Sequence, residues 1–115
     1  MRRMISAFAA VALSALPAAA HHGWGSYEAT TPMTIEGEIT GLKLQNPHGV
    51  MTVEHEGAPW LITLAPLTRM DARGATADIV KDGATVKAYG YPRRDGTKEI
   101  RAEWIEIGDQ HFELR

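Results

Sequence analysis

Two histidines, His21 and His22, stand side by side directly after Ala18-Ala19-Ala20 and before Gly23-Trp24-Gly25. What they can do depends on whether the chain is cut beside them. Residues 1–20 begin with Arg2 and Arg3, continue through an apolar stretch over 4–16 and end in Pro17 and small residues. This order is that of a secretory signal peptide. The apolar stretch is shorter than the roughly 20 strongly apolar residues of a membrane span, and no later segment approaches that length. The expected cut lies between Ala20 and His21. His21 then gains a free α-amino group beside its own imidazole, and the two nitrogens can close a six-membered chelate on one metal ion. Nitrogen ligands in this arrangement favour Cu(II) among common divalent ions. The α-amino group titrates near ~8 and imidazole near ~6.5, so much of the site is ready to bind at neutral pH. A cut one residue earlier gives Ala20-His21-His22, whose amine, two backbone amides and third-position imidazole form a self-contained square-planar chelate. Both registers make a copper-type terminus, and only the first leaves room for a ligand from the fold.

His48, in Gln45-Asn46-Pro47-His48-Gly49, is the candidate for that ligand. A proline-stiffened turn between two strands would hold its imidazole at a fixed rim. The alternative is a turn histidine bonded to nearby backbone. His55 shares the phase of Met51 and Val53 and reads as a partly buried core or interface histidine, and His111 as an exposed edge residue. Met33 and Met51 fall on strand apolar phases, where thioethers fill cores. Trp60 and Trp104 also fall on apolar phases, whereas Tyr89 and Tyr91 share the opposite face and with Trp24 can line a groove.

The elements that must position these groups are mainly strands. Alternation over 33–44 gives a first strand whose apolar phase shifts at Gly41, as at a bulge. Strands over 50–56 and 60–65 follow through tight turns, making a meander. Residues 66–81 read as one or two short helices carrying Leu67, Met70, Ile79 and Val80. Strand character returns over 84–92, and an Asp95-Gly96 turn leads into a fifth strand over 100–108. The tail over 109–115 can add a short terminal strand. Three strands, a helical insert and two more strands predict a small five-stranded OB-like barrel, mainly β. An open antiparallel sheet with one packed helix competes. The expected organisation is one domain over 21–115 with a flexible segment over about 21–32.

Composition narrows the function. Loss of Arg2 and Arg3 takes the twelve Lys and Arg to ten against fourteen Asp and Glu, moving the formal charge from −2 to −4. This disfavours nucleic acid, which needs a basic face. With no cysteine, neither a disulfide framework nor a thiolate metal site can form. No Ser-His-Asp spacing, phosphate-cradling glycine loop or HExxH motif occurs, so no enzyme is expected. Glu36, Glu38, Glu54 and Glu56 fall on polar phases, as on a solvated sheet face.

The signal peptide, HHGWGSYE, the strand pair around QNPHG, APLTRMDARG and DGATVKAYGYPRRDG together resemble a family of small exported bacterial proteins of unknown function. Its most specific marks are the histidine pair after the export signal and the Asn46-Pro47-His48 turn. The resemblance implies export and a small β fold but no activity. The residues themselves point to a periplasmic or secreted protein holding one copper ion through His21, His22 and His48, for sequestration or delivery. Two alternatives remain: a metal-free OB-like module for a small molecule, glycan or envelope protein, and an envelope interaction protein pairing through a strand edge.

Overall fold

A computed structural model describes residues 23–115. Seven strands make one sheet: β1 (Met33–Glu38), β2 (Thr40–Lys43), β3 (Val50–His55), β4 (Ala58–Thr63), β5 (Thr85–Pro92), β6 (Glu99–Ile107) and β7 (Gln110–Glu113). Their order is β1-β5-β6-β4-β3-β2, with β7 added to β6. The pairings are antiparallel except β4 with β6, which run parallel.

The expected first strand is thus divided. Gly41 takes φ +54° and the β2–β3 register shifts between Thr40 and Lys43, as a bulge requires. Buried Ile39 separates the halves, its N–H donating to the Ala84 carbonyl at 2.9 Å while its own carbonyl accepts from Gly83. One half pairs with β5 and the other with β3. The sheet does not close through a ladder: its two ends are joined by the chain itself at Ile39. With β7 also present, the five-stranded barrel becomes a seven-stranded OB-like sheet. The meander of β2, β3 and β4 stands as expected.

The insert holds a single α-helix, α1 (Leu67–Ala72), following Pro66. Gly74, at φ +83°, ends it, and the Ala75 N–H returns to the Met70 carbonyl at 2.9 Å. Met70 and Val80 join Ile35, Ile39, Met51, Val53, Ile62, Val86, Ile100 and Ile105 in the core. Among the described residues, no helix is long and apolar enough to cross a membrane.

The β5–β6 register also shifts, between Tyr89 and Gly90, so Glu103 is the extra residue opposite Tyr89-Gly90. Buried side chains change phase there, from Ile100 and Ala102 to Ile105. Trp104 is consequently turned out of the core that its spacing predicted, and stacks on Tyr89 with centroids 5.2 Å apart.

Candidate functional site

One rung of the sheet runs Val50, Thr63, Arg101, Tyr91 across β3, β4, β6 and β5. These residues lie on the face opposite core residues Ile62 and Ile100, because side chains alternate along each strand. The QNPH turn folds over one end of the rung. Its closure depends on Gly49, whose N–H donates to the Ala65 carbonyl at 3.0 Å and whose carbonyl accepts from Leu64 at 2.8 Å. A side chain at Gly49 would stand 3.1 Å from the Met70 sulfur. The helix therefore backs the turn, and half-buried His48 is presented from a packed support.

The other wall comes from the chain before β1. Trp24–Ser26 forms a single 3-10 turn. Tyr27 then bridges Arg93, and the Glu28 N–H donates to the Pro92 carbonyl at 2.8 Å. The Arg94 N–H donates to the Ser26 carbonyl at 3.0 Å, and its guanidinium reaches the Tyr27 carbonyl at 3.2 Å and the Glu28 carboxylate at 3.3 Å. Tyr27 is only 4% exposed. Its hydroxyl donates to the Glu99 carboxylate, which also accepts from Thr63 at 3.3 Å. Burial, reinforced by the bond to Glu99, pushes the Tyr27 phenol up to about 12.

Between these walls lies a cavity of about 200 Å³, lined by Tyr27, Gln45, Pro47, His48, Val50, Thr63, Arg93, Glu99 and Arg101. Glu99 and Arg101 are 9% and 8% exposed. Burial lowers the Arg101 guanidinium below its ordinary value. Arg93 lies 4.0 Å from Glu99 and 3.3 Å from Asp95. Two guanidinium groups against one carboxylate leave the inner cavity unsuited to a bare cation. His48 lines the same cavity as this pair.

A family model described as a family of unknown function, DUF6152, matches residues 9–101. The chain belongs to DUF6152. The match takes in the N-terminal wall, the QNPH turn and β6 as far as Arg101. No curated protein matches this DUF6152 chain. Among solved structures it is similar to a chain in the crystal structure of the S. pombe Stn1-ten1 complex, with a TM-score of 0.54 and 17% identity. The similarity covers 69% of the DUF6152 chain and 59% of that chain, so it spans less than two thirds of the solved neighbour. It concerns the fold alone.

Of the residues singled out in sequence, His48 lies at the cavity, whereas His21, His22 and the expected signal peptide lie outside the described residues. Among the described residues, no three His, Asp or Glu side chains are grouped to hold a metal ion. His55 is half-buried, edge-on to Trp60 at 5.7 Å. His111 is exposed between two carboxylates, Glu106 at 3.1 Å and Glu113 at 2.8 Å. Tyr89, Tyr91 and Trp24 do form one aromatic row, with centroids 6.0 Å apart at each step. Sequence reasoning missed Glu99 and Arg101, and the burial of Tyr27 against them. The available signal was two charged residues in phase on β6, which reads as a solvated face until the N-terminal segment covers it.

Proposed function

We propose that this chain is an exported copper-binding protein in which His21, through its amine and imidazole, His22 and His48 hold one copper ion for sequestration or delivery. The observation that carries the reading is that Tyr27 and His48 line the same cavity. Only five positions separate His22 from Tyr27, a reach of at most roughly 18 Å. That span of chain is what supports bringing the two ends of the proposed site together. Signal-peptide cleavage before His21, periplasmic or secreted location and a binding rather than catalytic role belong to the same proposal.

The test begins with the mass of the mature N-terminus and then titrates that chain with Cu(II). One tight equivalent is expected. His48→Ala should weaken it at least tenfold, about 1.4 kcal/mol, and a residue added before His21 should do at least as much damage. Equal affinity in all three chains overturns the shared site. The OB-like fold and the polar cavity would then favour the second reading, a metal-free module for a small molecule, glycan or envelope protein.

A further inference from the structure

The cavity between the QNPH turn and the N-terminal wall carries unequal charge. Of the groups that line it, Arg93 and Arg101 are cationic and Glu99 is the one carboxylate. That carboxylate is already engaged: its Oε2 accepts from the Tyr27 and Thr63 hydroxyls, and Arg93 Nη1 stands 4.0 Å from it, beyond hydrogen-bond reach. Asp95 meets Arg93 at Nε, 3.3 Å away, from an exposed turn outside the lining. Arg93 and Arg101 converge on one buried ring, their guanidinium carbons 5.8 and 6.0 Å from the Tyr27 centroid. Arg101 also lies 4.3 Å over the Trp24 ring. Aromatic rings cover the flat faces of a guanidinium and leave its donors, which lie in its plane, for polar groups. Burial, and then the like charges of Arg69 and Arg115, hold Arg101 below its ordinary value. A negative charge brought beside it would offset that cost.

We propose that this cavity binds a small organic monocarboxylate, its carboxylate held between Arg93 and Arg101 and its short apolar body laid against Pro47 and Val50. Guanidinium and carboxylate match through two parallel N–H···O bonds, which makes arginine the fitting residue for this group. Two cations against one engaged carboxylate leave a single positive charge to balance, as a monoanion does. The volume of about 200 Å³ is below the roughly 300–1,000 Å³ of sites for drug-sized ligands, so the acid has only a few carbons. Pro47 and Val50 give it an apolar wall that a bare inorganic anion would leave unused, and Gly49, packed on Met70, keeps that wall in place. The site is built from described residues alone and needs no metal. It stands apart from the copper reading, and it gives the metal-free reading a ligand class.

The test titrates the metal-free mature chain with sodium propionate and follows backbone and guanidinium signals by nuclear magnetic resonance. Propionamide serves as the uncharged isostere, and inorganic phosphate is matched in ionic strength. Propionate should shift the signals of Arg93, Arg101 and Val50 along one saturable curve, with propionamide and phosphate each binding more weakly by roughly tenfold or more. Arg101→Gln should weaken propionate by a similar factor. Arg93→Gln, at a less buried position, should do the same and serves if Arg101→Gln folds poorly. His111→Ala, remote from the lining, should leave propionate affinity unchanged. Absence of saturable shifts, equal binding of propionate and propionamide, tighter binding of phosphate, or unchanged propionate affinity in both arginine variants overturns the inference. The Cu(II) titration decides the copper reading separately, so either can fail while the other stands.

Discussion

His48 and His111 both sit where the chain leaves regular strand pairing or nears its end, yet their surroundings differ in kind. His111 lies on β7, exposed, with Glu106 on Nδ1 and Glu113 on Nε2. Both ring nitrogens are engaged by carboxylates, and its pKa is raised by the bonds to Glu113 and then Glu106. His48 stands on a turn backed by Gly49 and Met70, beside a cavity walled by the N-terminal segment. The lesson is that carboxylates close to an imidazole do not make a metal site when they occupy its two nitrogens from opposite sides.

The strongest blow to both regions should come from Gly90, which lies between Tyr89, part of the His111 stack, and Tyr91, part of the Trp24 contact. A Cβ there would come within 2.2 Å of the Arg101 carbonyl oxygen. Gly90→Ala should therefore destabilise by about 3 kcal/mol, seen in urea denaturation, and should perturb the signals of both histidines. Tyr27→Ala separates them. It removes a buried aromatic wall and should lose about 3 kcal/mol, lowering Tm by roughly 12 °C or more, while His111 keeps its titration. A loss no greater than that of His111→Ala would break the contrast.

Tyr27→Phe keeps the ring and removes only the bond to Glu99, for an expected loss of about 1 kcal/mol. The same bond predicts alkaline behaviour. A phenol at about 12 in the folded chain against 10.0 for an ordinary tyrosine gives a contribution fully present below pH 10.0 and lost as pH rises through about 12. Glu99→Gln should lower the Tyr27 midpoint in ultraviolet titration. The smallest effect belongs to His111. Its folded pKa lies above 6.5, so its contribution is present below pH 6.5 and fades as pH climbs through the folded value. Proton NMR should place its midpoint above that of a free imidazole, and Glu113→Gln should bring it down.

Much of the scaffold was legible because it is local. Period-2 alternation marked the strands, Gly41 marked the bulge, and Asp95-Gly96 marked the turn, where the Asp95 carboxylate accepts the Thr97 N–H at 2.9 Å. Trp104 was misplaced because the Glu103 bulge has no glycine on its own strand, its mark being Gly90 across the pairing with β5. The division of the first strand was hinted at by Gly41, but its pairing with two partners depends on contacts with Gly83 and Ala84, more than 40 residues on. Within the site, His48 was visible through Pro47. Glu99, Arg101 and the burial of Tyr27 against them were not, because that burial follows from an N-terminal segment with no periodicity of its own.

The divided first strand also sets the order in which the molecule can be completed. β2 finds β3 within a dozen residues, so Thr40↔Thr52 can form early. β1 has no hydrogen-bonded partner until β5 exists, since Met33 pairs with Gly90 and Glu38 with Thr85. The parallel β4–β6 junction likewise waits for Glu99 to meet Leu61. A chain emerging from its N-terminus therefore carries an open strand until about four fifths of it has appeared, and loop closure, not local pairing, should limit its folding rate. The site wall joins at the same moment, because Tyr27 docks on Arg93 and Glu99. Assembly of the candidate site and closure of the fold are thus one late event.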